Sequence, residues 1–283
     1  MTINIPKFED LPKYDSPPVV ETVLGIQFEP LISYRSAHAG WYWKNYLDEK
    51  WGSIKEVPFL QDQFELFGDK KKWGSGIGFS VETIPASRHQ IIRTDNTRML
   101  QIQNSRFIYN WKLTDGNKKK KGLYPSYEKI EPEFHQLFDS FKKFSIDSGN
   151  EELNINQWEV TYVNYIEKGQ LWETVADWPD ILPWLSFPAT DVMQQKPDGV
   201  NTELLLMIGE NYGRLHVTAQ HVRIGSDKGP EAISLKLTAR GPINDELGID
   251  YRTGFKIGHA SIVQSFHSMI SKEARVFWGF KGE

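Results

Sequence analysis

Hydrophobic and polar residues alternate with period two along several short stretches, and each reads as a strand with one apolar side. After Pro17-Pro18, which keep the chain extended, Val20, Thr22, Leu24, Ile26 and Phe28 fall on one face and Glu21, Gly25 and Gln27 on the other. Trp158, Val160, Tyr162 and Ile166 likewise oppose Glu159, Thr161 and Tyr165. That register puts Asn164 on the buried side, where its amide needs partners, since an unpaired one costs on the order of 1–3 kcal/mol. A meander of strands is predicted from 79 to 112, broken at Asp95-Asn96 and Asn104-Ser105, with Phe107, Tyr109 and Trp111 alternating against Arg106, Ile108 and Asn110. Three more strands are expected near 202–208, 213–223 and 231–240, joined by Asn211-Tyr212-Gly213 and by a looser turn over Gly225–Gly229.

Helical spacing appears in three places. Ser33 reads as the N-cap of a helix reaching about Lys50. Ile130, Phe134, Leu137, Phe138, Phe141 and Phe144 give the clearest amphipathic helix, stopped by Ser148-Gly149-Asn150. Phe255, Ile262, Val263, Phe266, Ile270 and Phe277 predict a last helix over 254–278. Helices are too few for a parallel βαβ sheet and strands too many for a bundle. The expected class is α+β: mostly antiparallel sheet with helices packed on one side, the second half echoing the first as two similar lobes. The expected division is an N-terminal extension (1–16), a first lobe (17–168), a Trp/Pro-rich connection (169–200) and a second lobe packed on the first (201–283), with one merged domain as the alternative.

Composition narrows the chemistry. The chain has 283 residues, enough for a substantial core, and no cysteine, which excludes disulfides, thiolate metal sites and thiol nucleophiles. A net charge of −4 gives no global pull toward a polyanion. No stretch approaches the roughly 18 apolar residues of a membrane span, and the first residues do not resemble a secretory signal, so a cytoplasmic protein without a membrane partner is expected.

Most catalytic patterns are missing. Gly74-Ser75-Gly76-Ile77-Gly78 lacks the order of a phosphate loop and precedes a strand, so it reads as a flexible turn. His216 and His221 point to opposite faces of one strand, and His259 and His267 stand about 12 Å apart along one helix, so neither pair ligates one ion. There is no Gly-x-Ser-x-Gly elbow. Catalytic residues, metal and cofactor are all expected to be none, and a hydrolytic enzyme with an unrecognised carboxylate site is the minority reading. Lys118–Lys121 read as a solvated loop.

Three groups remain as candidate binding residues. Arg214, His216 and Gln220 share one strand face, Lys236 and Arg240 another; if the strands pair they form a polar platform. Its plain reading is the wet side of a sheet, its sharper one a surface for an anionic ligand or nucleic acid. Glu21 and Asn164 stand in otherwise apolar strands and would make a polar site if they converged. Trp178 and Trp184 flank a Trp-Pro segment that either lids the core or contacts a partner.

The segments Pro17-Pro18-Val19-Val20-Glu21, Gly25-Ile26-Gln27-Phe28, Arg106–Trp111, Tyr124-Pro125-x-Tyr127, Trp158 with Tyr162-Val163-Asn164, and His259 through Trp278 resemble a sporadically distributed bacterial family of unknown function. The resemblance spans nearly the whole chain. Tyr165 departs from the Arg expected after the Asn, and the four-lysine loop is an extension. What it implies is an accessory protein of mobile-element or phage-defence loci, with no catalytic residues to carry over. The expected function is therefore a non-catalytic binding or adaptor protein acting with another protein, self-association being open; a binder of nucleic acid or an anionic ligand is the alternative.

Overall fold

A computed structural model describes residues 7–67, 87–114, 124–150, 152–187 and 196–282. The glycine-rich stretch 74–78, the start of the predicted meander and the lysines 118–121 lie outside these residues. The fold is α+β, built on one nine-stranded antiparallel sheet. Its strands are β1 (Val19–Phe28), β2 (Trp51–Pro58), β3 (Ser87–Arg93), β4 (Arg98–Gln103), β5 (Arg106–Lys112), β6 (Ile155–Glu167), β7 (Asn201–Ile208), β8 (Gly213–Arg223) and β9 (Glu231–Pro242). Helices α1 (Ser36–Tyr46), α2 (Tyr127–Asp147), α3 (Trp178–Ile181), α4 (Tyr251–Met269) and α5 (Lys272–Phe277) complete the order. None is long and apolar enough to cross a membrane.

The strands lie in the order β2-β3-β4-β5-β1-β6-β9-β8-β7. In each half the first strand pairs with the last strand of a later meander, β1 with β5 and β6 with β9. β1 and β6 pair at the centre, so one sheet runs unbroken through both halves.

The period-two pattern explains which side is covered. Leu24, Ile26 and Phe28 of β1, Phe107 and Tyr109 of β5, Trp158 and Val160 of β6, Leu215 and Val217 of β8 and Leu235 and Leu237 of β9 are all buried in one core. α2 closes it with Ile130, Phe134, Phe138, Phe141 and Phe144, and Phe107 meets Phe141 at 5.0 Å between ring centres. Each buried Phe contributes roughly 1.5–3 kcal/mol. α4 seats directly on Trp158: a Cβ at Gly254 would lie 2.3 Å from the indole Cδ1, and one at Gly258 2.9 Å from Cζ3, so glycine is what permits that approach.

Three expectations need correction. Helix α1 begins after Arg35, whose N–H donates to His38 Nδ1 (2.9 Å), so Ser33 is not its cap. The residues after it form β2, an outermost strand that buries little and therefore lacks an alternating pattern. The last helix is two, because Ser271 donates its N–H to Ile181 O (2.9 Å) and accepts from Ala274 N–H (3.2 Å), restarting the chain as α5.

Candidate functional site

The two faces of the sheet differ in what covers them. On the polar face, Arg214 stands opposite Arg240 and His216 opposite Thr238, so β8 and β9 do pair and bring Arg214, His216 and Arg240 together. The two guanidiniums and the imidazole surround Glu65, whose side chain is only 7% exposed. Arg214 Nη1 donates to Glu65 Oε2 at 2.6 Å, His216 Nε2 lies 2.7 Å from Oε1, and Arg240 Nε lies 3.5 Å from it. Burial pushes the Glu65 carboxyl up, but hydrogen bonds from His216 and Arg214 outweigh it and hold the group below its ordinary range. The predicted platform thus already meets the chain's own carboxylates, Glu65 at its centre and Glu159 3.6 Å from Arg240 Nε. Gln220 and Lys236 sit away from this cluster: Gln220 Nε2 donates to Asn201 Oδ1 (3.0 Å), and Lys236 is exposed.

Glu65 belongs to an extended segment, 59–67, that leaves β2 and crosses the strands on this face. Gln103 of β4 both accepts from Leu60 N–H (3.1 Å) and donates to Leu60 O (2.8 Å). Arg106 of β5 donates to Gln61 O (2.8 Å), and Gln27 of β1 accepts from Gln63 N–H (3.1 Å). Gln157 of β6 donates to Gln63 O and accepts from Glu65 N–H (2.9 Å). Arg214 of β8 donates to Leu66 O (2.7 Å), with its guanidinium carbon 4.6 Å from the centre of the Phe67 ring.

Glu21 and Asn164 do not converge. Glu21 lies on the polar face, where it accepts from Asn110 Nδ2 (2.6 Å) beside Lys112 (3.5 Å). Asn164 points to the opposite face, buried, and donates to Leu235 O (3.0 Å). Strand parity separates them. Trp178 is buried in the core, its ring 5.7 Å from Trp172, which removes it as an exposed partner contact; Trp184 is partly buried against the same core.

The core face holds a cavity of about 400 Å³. Its walls come from the N-terminal segment (Leu11, Tyr14, Val19), the start of α2 (Tyr124, Tyr127), β6 (Tyr162, Asn164) and α4 (His259, Ile262, Phe266). The N-terminal wall is fixed to the far end of the chain: Asp15 N–H donates to Gly279 O (3.2 Å), Ser16 N–H to Trp278 O (3.1 Å), and Tyr14 OH meets His267 Nδ1 (2.7 Å). Across the inner wall runs a relay. Tyr124 OH donates to Tyr162 OH (2.8 Å), which is hydrogen-bonded in turn to His259 Nδ1 (2.8 Å). The His259 ring is stacked on Tyr127 at 4.0 Å and 7°.

Burial lowers the His259 pKa to about 4 and raises that of Tyr124 to about 12. At neutral pH the relay is uncharged from end to end. No periodic signal announced this cavity, because its walls are assembled from four stretches far apart in the chain. The available cue was the Tyr124-Pro125-x-Tyr127 and His259 pair of segments, met above only as points of resemblance. Compared with known proteins, no family model matches the chain and no curated protein matches it.

Proposed function

We propose that the protein is a non-catalytic binding protein that holds a small, neutral, largely apolar molecule in the cavity between the N-terminal segment, α2 and α4. The observation that carries this reading is the cavity itself. Its volume of about 400 Å³ falls within the roughly 300–1,000 Å³ typical of ligand pockets. Leu11, Val19, Ile262 and Phe266 supply apolar wall, the tyrosine hydroxyls and Asn164 supply polar groups that orient a ligand, and Lys13, Asp15 and Glu128 add charge of both signs to the lining.

The electrostatics favour holding over reacting. General acid–base catalysis is most efficient with a pKa near the working pH. Here the imidazole has a pKa of about 4 and its Nδ1 is already hydrogen-bonded to Tyr162, while the Tyr124 phenol, at about 12, gives up its proton reluctantly. The cysteine-free chain needs no oxidising compartment to fold, and we place this activity in the cytoplasm.

The test is a fragment screen by ligand-observed NMR on the full chain and on Val263→Trp, which fills the cavity from α4. Neutral aromatic or aliphatic fragments should bind the parent and lose binding to the variant. Hits that ignore the substitution, or a complete lack of hits on the parent, would refute the reading.

A further inference from the structure

The segment 59–67 is held in an unusual way. Among the described residues, no backbone–backbone hydrogen bond falls on it. Instead, side chains from the sheet read its backbone: Gln103 takes both polar groups of Leu60, Arg106 the carbonyl of Gln61, Gln27 and Gln157 the two of Gln63, Gln157 the N–H of Glu65, and Arg214 the carbonyl of Leu66. These side chains come from β4, β5, β1, β6 and β8, in the order in which the sheet arranges them. With β9 between β6 and β8, the crossing covers six neighbouring strands. Five gaps of about 4.8 Å make roughly 24 Å, which is the reach of about seven extended residues. The row of amides and guanidiniums therefore matches the length and polarity of any extended peptide.

Besides Gln63, whose Oε1 accepts from Arg240 Nη1, selectivity lies at two acidic positions of the occupant. Asp62 accepts from Ser105 Oγ (2.8 Å) and stands 3.7 Å from Arg106 Nε. Glu65 fills the Arg214, His216 and Arg240 cluster. Gln61 and Phe64 face outward and are exposed. The site thus demands a main chain plus two acids three residues apart, and it leaves the outward positions free.

We propose that this row is a docking cleft for an extended acidic segment of a partner protein, carrying an Asp-x-x-Glu pattern, and that residues 59–67 are its internal occupant. The partner competes with the chain's own segment, its carbonyls accepting from Gln103, Arg106, Gln157 and Arg214 and its glutamate from Arg214, His216 and Arg240. This gives the protein-partner reading of the sequence a defined surface, independent of the cavity.

The experiment uses the full chain with Asp62→Ala and Glu65→Ala, which weakens the internal occupant and leaves the cleft intact. The probe is a fluorescein-labelled peptide reproducing residues 58–67, with a second peptide in which both acids are amides. The double variant should bind the acidic peptide saturably, and about tenfold more tightly than the amide peptide or than the parent chain binds it, because charge-assisted hydrogen bonds are lost or already occupied. Adding Arg214→Ala should abolish that preference. A folded double variant that binds neither peptide, or both alike, would overturn the proposal. Should the double variant not fold, hydrogen exchange on the parent decides: excess acidic peptide should speed exchange at Leu60, Gln63 and Glu65, and unchanged rates would count as refutation.

Discussion

The two faces of this sheet solve opposite problems. The helix-covered face is closed by aromatic packing, as in Phe107 against Phe134, Phe138 and Phe141, yet it retains a hollow beside Tyr162 and His259. The polar face should be open to water, yet its cations and amides are occupied by the chain's own segment 59–67. Apolar packing is non-directional and tolerates a hollow, provided the polar groups lining it are paired. Hydrogen-bonding side chains are directional, so a row of them specifies what may lie across it.

The contrast can be broken first at the packed face. Phe141→Ala removes a fully buried ring that touches Phe28, Tyr42, Phe107 and Phe144. It should cost about 3–5 kcal/mol in denaturant unfolding, and a loss below about 1 kcal/mol would mean that this face is not the main source of stability.

Acidification probes the hollow. The folded pKa of His259 is about 4, below its unfolded value of 6.5, so between these pH values the unfolded chain binds more protons. Stability is therefore full above the unfolded value and falls as pH drops toward 4, by up to about 3 kcal/mol for this group. His89 and His267 are shifted the same way, chiefly by burial, so the diagnostic is a difference. Urea midpoints measured from pH 7 to 4.5 should fall more steeply for the parent than for His259→Gln; parallel curves would show that the imidazole is not held neutral.

The smallest effect is expected at the uncovered end of the polar face. Lys236→Glu alters an exposed residue remote from Glu65 and should change stability by less than about 0.5 kcal/mol. A larger shift in thermal unfolding would extend the network beyond the segment 59–67.

Much of the scaffold was readable beforehand. β1, β5, β6, β8 and β9 turn mainly apolar side chains to one face and mainly polar ones to the other, so alternation located them, and the phenylalanine spacing located α2. β2 escaped because an outermost strand with one well-buried residue, Trp51, carries almost no pattern. The sites were harder. Parity correctly put Asn164 inside and Glu21 outside, which already separates them. The pairing of Arg214 with Arg240 was readable, but their ion pairing with Glu65 was not, since Glu65 and Arg214 lie 149 residues apart in sequence. The hollow was invisible because it is a property of four segments together, while local patterning reports on one at a time.

Gly254 and Gly258 bring α4 down onto the Trp158 ring until no side chain fits between them. A helix resting on bare backbone against a rigid, fully enclosed indole has no slack in which to rise or slide. The lining that α4 presents through His259, Ile262 and Phe266 is consequently held by that contact, and the guest proposed above would have to match its shape.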